Sequence, residues 1–580
     1  MKSSPKLKNP SDLPIRWWLG ARLALLGIIA VVWTRWQSDW PFQKRNLISY
    51  EILIVTAIAL LIWWTFLSRA PKRLRLGVTF GLAGAMAAGA LLFRLHGMTG
   101  DMAPIIEFRW ARHAQAALNR DTVASLQRSN EVTIQPFNDS TNTFPQFYGP
   151  NRDGVLVGPK LDTNWVAHPP QVLWRKPVGA AWSGFVMVGE FCLTQEQRGN
   201  EECVVAYALK TGERVWVHAD VARYSTTIAG EGPRATPTVV SNRVFTFGAT
   251  GLLNCLDLAS GKQLWQRDVV KDSGGNVPQW GATSSPLMVD DLVIVHGGEG
   301  GSHSLFAYRA EDGTPVWKGG PGPSYSTPLL ATLAGMPQVL AFNDSSVSGH
   351  DPKTGSTLWQ RPWGNGNVVC ASPLVVSSNR VLFSSGYGVG AELLEISRKT
   401  NGGVAAERVW KSIRMKAKFA HMFVRDGCVF GLDDGMFACV DLKDGSQKWK
   451  EGRYGHGQGL LVGELYLLMA ESGELVLLRP TPEAPNELAR LRVLNSKTWN
   501  PIALSGDLLL LRNDREAVCL REGHPDWPAE GGFFPEYCRT ILPSVAIGVG
   551  GEMDSAIVTK GDKFSIVAIA DAGEIAQLNG

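Results

Sequence analysis

A chain of 580 residues, 45% hydrophobic and 19% charged, is globular in composition and far too long for one small core, so several domains or one large repeat architecture are expected. A formal net charge of +4 over this length, with basic residues flanking apolar segments, gives no footing for nucleic-acid binding. The eight cysteines form no C-x-x-C or C-x-x-C-H pattern, which removes zinc ribbons, thioredoxin chemistry and c-type haem attachment.

Three apolar stretches come first: Trp17 to Trp33, Ile48 to Leu67, and Leu76 to Leu95. Each is close to the ~20 residues that cross ~30 Å of hydrocarbon as a helix. Trp17, Trp18, Trp33 and Trp36 bracket the first, and Trp63 and Trp64 sit near the end of the second, as interfacial aromatics do. Arg22 lies near enough to its helix end to snorkel. Two further spans and the lack of a small-residue cleavage site argue against a cleaved signal peptide. Lys2, Lys6, Lys8 and Arg16 precede the first span, and Arg69, Lys72, Arg73 and Arg75 fill the second loop. The first loop carries only Arg35, Lys44 and Arg45, with Asp39. The positive-inside rule then puts the N-terminus in the cytoplasm and everything after the third span outside the cell membrane, in the periplasm or beyond. The expected divisions are a membrane anchor at 1–96, a partly helical stalk at 97–143 with a helix or two between Ile106 and Ser129, a repeat domain at 144–522, and a C-terminal extension at 523–580. The extension shows two strand-like runs, SAIVTK and FSIVAIAD.

The repeat domain is built on one phrase: a hydrophobic strand, a polar turn with glycine, then tryptophan. It reads AYALKTGERVW to Trp216, CLDLASGKQLW to Trp265, AYRAEDGTPVW to Trp317, GHDPKTGSTLW to Trp359 and CVDLKDGSQKW to Trp449. A longer copy ends at Trp410. Successive tryptophans stand about 39 to 52 residues apart, a propeller-like period. Glycine supplies the positive φ of a tight turn, and the indole is placed to pack between sheets. Upstream of the phrases run Ser/Thr-Pro strands, TPTVV, SPLMV, TPLLA and SPLVV, each followed by a second strand. Four short antiparallel strands per unit make a propeller blade.

Eight units begin near Ser183, Ala235, Ser284, Ser326, Ala371, Ala420, Gly457 and Asn500. The eighth lacks its last strand, and an orphan strand of that type, QVLWRKPV around Trp174, precedes the first. That strand is expected to complete the last blade and close the ring, removing exposed edges. The fold class is therefore an all-β propeller of eight four-stranded blades, closed by an N-terminal strand and preceded by three transmembrane α-helices. Seven blades stay open, because the seventh unit is irregular and has no tryptophan. Cys192 with Cys203, and Cys428 with Cys439, flank hairpin-like stretches. They are read as buried thiols, with cross-strand disulfides as the alternative.

The phrases ALKTGERVW, DLASGKQLW and DLKDGSQKW resemble the tryptophan-docking repeat of PQQ-like (quinoprotein-type) β-propellers. FPQFYGPNRDGV, Phe144 to Val155, resembles the segment that opens such propellers in membrane-anchored members. The resemblance implies either a pyrroloquinoline-quinone (PQQ) dehydrogenase of alcohols or sugars, or a non-enzymatic scaffold such as the lipoprotein that assists outer-membrane barrel assembly. The adjacent cysteine pair of the alcohol dehydrogenases is absent, as is the Glu, Asn and Asp cluster expected to hold Ca²⁺ and supply a base.

Reading the loops that lead into each innermost strand gathers Trp182, Arg234, Trp280, Tyr325, Asn367, Lys418, His421, His456, Trp499 and Asn500, with Glu231 as the one obvious carboxylate. Such an aromatic and basic ring suits an anionic or planar ligand: a tricarboxylate quinone, an acidic peptide or a glycan. The plain alternative is that these side chains pack or hydrate the channel mouth. No catalytic residue, metal ligand or cofactor is assigned from the residues; PQQ enters through the resemblance alone. The GGEGGS run near Gly297 reads as a hairpin loop, and no HExxH, GxSxG or P-loop occurs. The expected function is a membrane-integral binding or assembly platform with envelope-protein or polysaccharide partners. The alternatives are a membrane-bound PQQ-dependent oxidoreductase and a carbohydrate-binding or sensor module.

Overall fold

The computed structural model describes residues 16–111, 143–158, 160–364 and 366–522, together with the backbone of strands at 554–560, 563–569 and 575–577. The chain forms two compact units, Met1–Trp527 and Pro528–Gly580.

Within the first unit, three helices are long and apolar enough to cross a membrane. These are α1 (Trp17–Trp36), α2 (Phe42–Ile62, continued by a π-helical turn Trp63–Leu67) and α3 (Lys72–Leu92). Pro41 and Pro71 stand just before α2 and α3, where a missing N–H costs nothing. Small residues let α1 and α2 approach closely: a Cβ on Gly20 would come within 2.6 Å of the Trp63 ring, and one on Gly27 would strike Thr56. None of the residues of α3 is buried.

The chain after α3 departs from the expected helical stalk. Phe93–Met98 and Pro104–Phe108 pair as an antiparallel hairpin, with Phe93 opposite Phe108 and Met98 opposite Pro104. Ile106, the expected helix start, is therefore a strand residue. The rest of the expected helix, from residue 112, lies outside the described residues.

Within residues 143–522, eight sheets of four or five strands are arranged as eight blades, beside a two-stranded ribbon of Ser225–Thr226 and Gly230–Glu231. The seventh unit is a complete blade, its outer strand being Glu487–Arg492. The orphan strand Gln171–Pro177 pairs antiparallel with Glu516–Arg521 of the eighth unit and closes the ring. Apolar side chains pack between neighbouring blades: Val186, Leu193 and Trp216 of the first meet Val244 and Leu256 of the second.

Ahead of that closure, Phe144 pairs with Met187 in the first blade, and Val155–Leu156 run parallel to Leu461–Val462 in the seventh. The intervening residues 145–154 cross the central channel. Arg152, buried, donates from Nη1 to the Pro286 carbonyl (2.9 Å) and from Nη2 to that of Ser285 (3.0 Å), while Val239 N donates to the Pro145 carbonyl (2.8 Å). The opening motif FPQFYGPNRDGV is thus a plug that runs across the channel.

The cysteines among the described residues are free thiols. Cys192 faces Tyr207 and Cys203 faces Glu196 across the same strand pair, so those two are out of register for a disulfide. In the second unit, Asp554–Lys560, Lys563–Ile569 and Ile575–Gln577 make a three-stranded antiparallel sheet, one strand more than the sequence suggests.

Candidate functional site at the channel mouth

Two kinds of loop open on the same face of a propeller: those leading into the innermost strands and the turns between second and third strands. Six of the ring residues come together there. Trp182, Arg234, Trp280, Tyr325, Lys418 and Trp499 line a cavity of about 410 Å³, with Phe147 of the plug below and Gly100 and Met102 of the membrane-proximal hairpin above. Phe419 and Tyr387 complete an aromatic wall.

The other ring residues lie elsewhere. His421 is one layer deeper, its Nε2 2.6 Å from the Asp153 carbonyl of the plug and its ring 5.0 Å from Tyr148. Burial pushes its pKa down to about 4, so it stays neutral and structural. Asn500 stitches the eighth blade to the first through the Ala181 and Ser183 carbonyls (2.9 Å each). Glu231 pairs with Arg223 and does not line the cavity. His456 adjoins the mouth and faces the hairpin.

The cations of the mouth are already engaged. The Arg234 guanidinium donates to the carbonyls of Trp280 (2.9 Å), Gly230 (3.0 Å) and Gly232, and its plane lies 4.5 Å from the Tyr224 ring centre. Burial lowers its pKa to about 10. Lys418 Nζ donates to the Gly100 carbonyl (2.6 Å) and to Gln43 Oε1 of α2 (2.8 Å). Lys497 Nζ donates to the Met98 carbonyl (2.9 Å) and lies 3.8 Å from the centre of the Trp499 ring; burial lowers its pKa to about 8.

The hairpin tip brings its own charges into this ring. Gly100 N donates to Glu471 Oε1 (2.6 Å), and the same oxygen accepts from Trp499 Nε1 (2.8 Å). Asp101 pairs with Arg453 through one oxygen, and its other oxygen lies 3.2 Å from His456 Nε2. Burial alone would raise the Asp101 pKa, yet the His456 hydrogen bond and the charges of His456, Arg453 and Lys418 outweigh it and hold the carboxyl below its ordinary value. Farther along the hairpin, His96 Nε2 is 2.8 Å from Asp514 Oδ2, and Glu107 pairs with Arg515. Glu471, Asp434 and Asp514 sit in turns between second and third strands, which reading the loops into the innermost strands passes over. The runs DDG, ESG and NDR at those turns are the sequence signal.

For chemistry, the cavity offers little. The Cys370 thiol that lines it is pushed up to about 12 by burial and is not a thiolate at neutral pH. Among the described lining residues there is no carboxylate or histidine to act as a base.

The family described as outer membrane protein assembly factor BamB matches residues 200–451. No curated protein matches the chain. Among solved structures, BamB from Moraxella catarrhalis is 13% identical with a TM-score of 0.44, covering 61% of this chain and 99% of its own. Quinohemoprotein alcohol dehydrogenase from Comamonas testosteroni is 13% identical with a TM-score of 0.48, covering 72% and 85%. Quinohemoprotein alcohol dehydrogenase ADHIIG from Pseudomonas putida HK5 is 10% identical with a TM-score of 0.46, covering 66% and 80%. At such values the structural likenesses carry no functional argument. The family match over residues 200–451, together with the tryptophan-docking phrase that recurs from blade to blade, makes this part of the propeller similar to the PQQ-like β-propeller repeat family.

Proposed function

We propose that this chain is a non-catalytic binding or assembly platform, anchored in the cell membrane with its propeller outside and its channel mouth turned toward the anchor. The observation that carries this reading is the saturation of the mouth. A quinone bearing three carboxylates needs cationic donors free to meet it. Arg234 spends its donors on backbone carbonyls, and Lys418 and Lys497 spend theirs on carbonyls of the hairpin and on Gln43. The residues therefore do not fit PQQ. The opposite face, where first and second strands turn, carries exposed Glu190, Asp290, Asp426 and Glu464 and is left clear for a protein or envelope polymer.

Calorimetry of the full chain in detergent with PQQ, with and without Ca²⁺, tests the reading. No heat of binding is expected. Micromolar or tighter binding that disappears in Trp280→Ala would overturn the platform and reinstate a dehydrogenase.

A further inference from the structure

Three groups with metal-binding atoms converge where the hairpin meets the propeller: Asp101 of the hairpin tip, Asp434 of the sixth blade and His456 at the start of the seventh. Their ligand atoms all lie within 4.8 Å of one another. His456 is 1% exposed and Asp434 is 3% exposed. Asp434 Oδ1 is buried with no hydrogen-bond partner. A carboxylate oxygen taken out of water without a hydrogen-bond partner is costly, and a bound cation offsets that cost. A buried unpartnered oxygen is also an independent sign of a ligand, beyond the clustering of the acids.

We propose that Asp101, Asp434 and His456 bind one divalent transition-metal cation, of the zinc or manganese class, which clasps the hairpin to the channel mouth. The 3.2 Å between His456 Nε2 and Asp101 Oδ1 suits two ligands of one ion. Tetrahedral bonds of roughly 2.0–2.1 Å place neighbouring ligand atoms about 3.3 Å apart. One imidazole and two carboxylates favour a borderline ion over Ca²⁺ or Mg²⁺, which prefer all-oxygen shells. Arg453, paired with the second oxygen of Asp101, takes the supporting position that orients a ligating carboxylate. Glu471 is spent on Gly100 N, Trp499 Nε1 and His456 N, so it stands beside the set and outside it. Three protein ligands leave a fourth position for water. The site uses none of the residues that line the aromatic cavity, so it stands or falls apart from the platform reading.

The test is calorimetry of tag-free, full-length protein in detergent, stripped with chelator and titrated with Zn²⁺ alone, Mn²⁺ alone and Ca²⁺ alone. One equivalent of Zn²⁺ or Mn²⁺ is expected to bind, with Ca²⁺ much weaker. Asp434→Asn and Asp101→Asn should each weaken binding at least tenfold. Asp101 lies in the hairpin turn and not in a blade, so its variant keeps a folded propeller and remains informative if Asp434→Asn does not. Absence of transition-metal binding, or binding that both variants leave unchanged, would overturn the site.

Discussion

The repeat phrase has a stereochemical meaning at the level of single residues. All but one of the docking tryptophans reach into the next blade. Trp216 Nε1 donates to the Leu258 carbonyl (2.9 Å), Trp265 to Ala310 (3.0 Å), Trp317 to Pro352 (3.0 Å) and Trp410 to Leu442 (2.8 Å). The glycine of the receiving turn lies flat against that indole. A Cβ on Gly313 would come within 2.8 Å of the Trp265 ring, and one on Gly445 within 2.6 Å of Trp410. Glycine is needed there twice, for φ near +73° at Gly313 and for the ring. Trp359 is the exception: it donates to Gln338 Oε1 (2.6 Å) in its own blade, and the hairpin it would meet has longer strands, Gly390–Arg398 and Val404–Ser412, of nine residues each. Trp265→Ala should cost about 3–5 kcal/mol and Gly313→Ala about 1–3 kcal/mol, by urea unfolding of the detergent-solubilised chain. Once the ring is gone the alanine methyl has nothing to strike. The double variant should therefore fall short of the sum by more than about 0.5 kcal/mol. Strict additivity would show that the glycine serves the turn alone.

At the level of elements, what was legible in the sequence is what local pattern dictates. The eight units, the closing strand around Trp174 and the three apolar helices all announce themselves through period and composition, and all are present. The hairpin at Phe93–Phe108 did not, because its partners are hundreds of residues away: His96 on Asp514, Gly100 on Glu471, Glu107 on Arg515. No periodicity within sixteen residues encodes such contacts, and tertiary context overrides the local helical appearance. The ring was half legible for a related reason. Trp182, Trp280 and Trp499 follow from loop order, whereas Asp101 reaches the mouth only through the hairpin. Docking of the hairpin depends on Gly100, whose Cα lies so close to the His456 ring that a side chain has no room. Gly100→Val should therefore release the tip. Hydrogen exchange over residues 93–108 is expected to quicken at least tenfold, while the blades keep their protection. Unchanged exchange in the hairpin would mean that its outer pairs, His96–Asp514 and Glu107–Arg515, hold it without the tip.

The whole molecule couples the propeller to one end of the helical anchor. Asn46 of α2 donates to the Asp101 carbonyl (2.7 Å), and Gln43 accepts from Lys418 (2.8 Å), so the α1–α2 turn and the hairpin after α3 share the propeller side. The opposite end of the helices carries Arg16, Arg69, Lys72, Arg73 and Arg75. Short basic loops remain on the cytoplasmic side during insertion. On the proposed reading of α1, α2 and α3 as three membrane spans, the start of α1 and the α2–α3 loop lie on one side and the propeller on the other. Ser38, exposed in the α1–α2 turn, and Lys72, exposed at the start of α3, therefore report opposite faces of the membrane. In a background with Cys370→Ser and Cys538→Ser, a membrane-impermeant maleimide added to intact spheroplasts should label Ser38→Cys. It should label Lys72→Cys only after the membrane is opened. The native thiols at Cys192, Cys203, Cys255, Cys428, Cys439 and Cys519 are buried and should stay silent in the folded protein. The reverse pattern would place the propeller in the cytoplasm, and with it any partner of the acidic turns at Glu190 and Asp290.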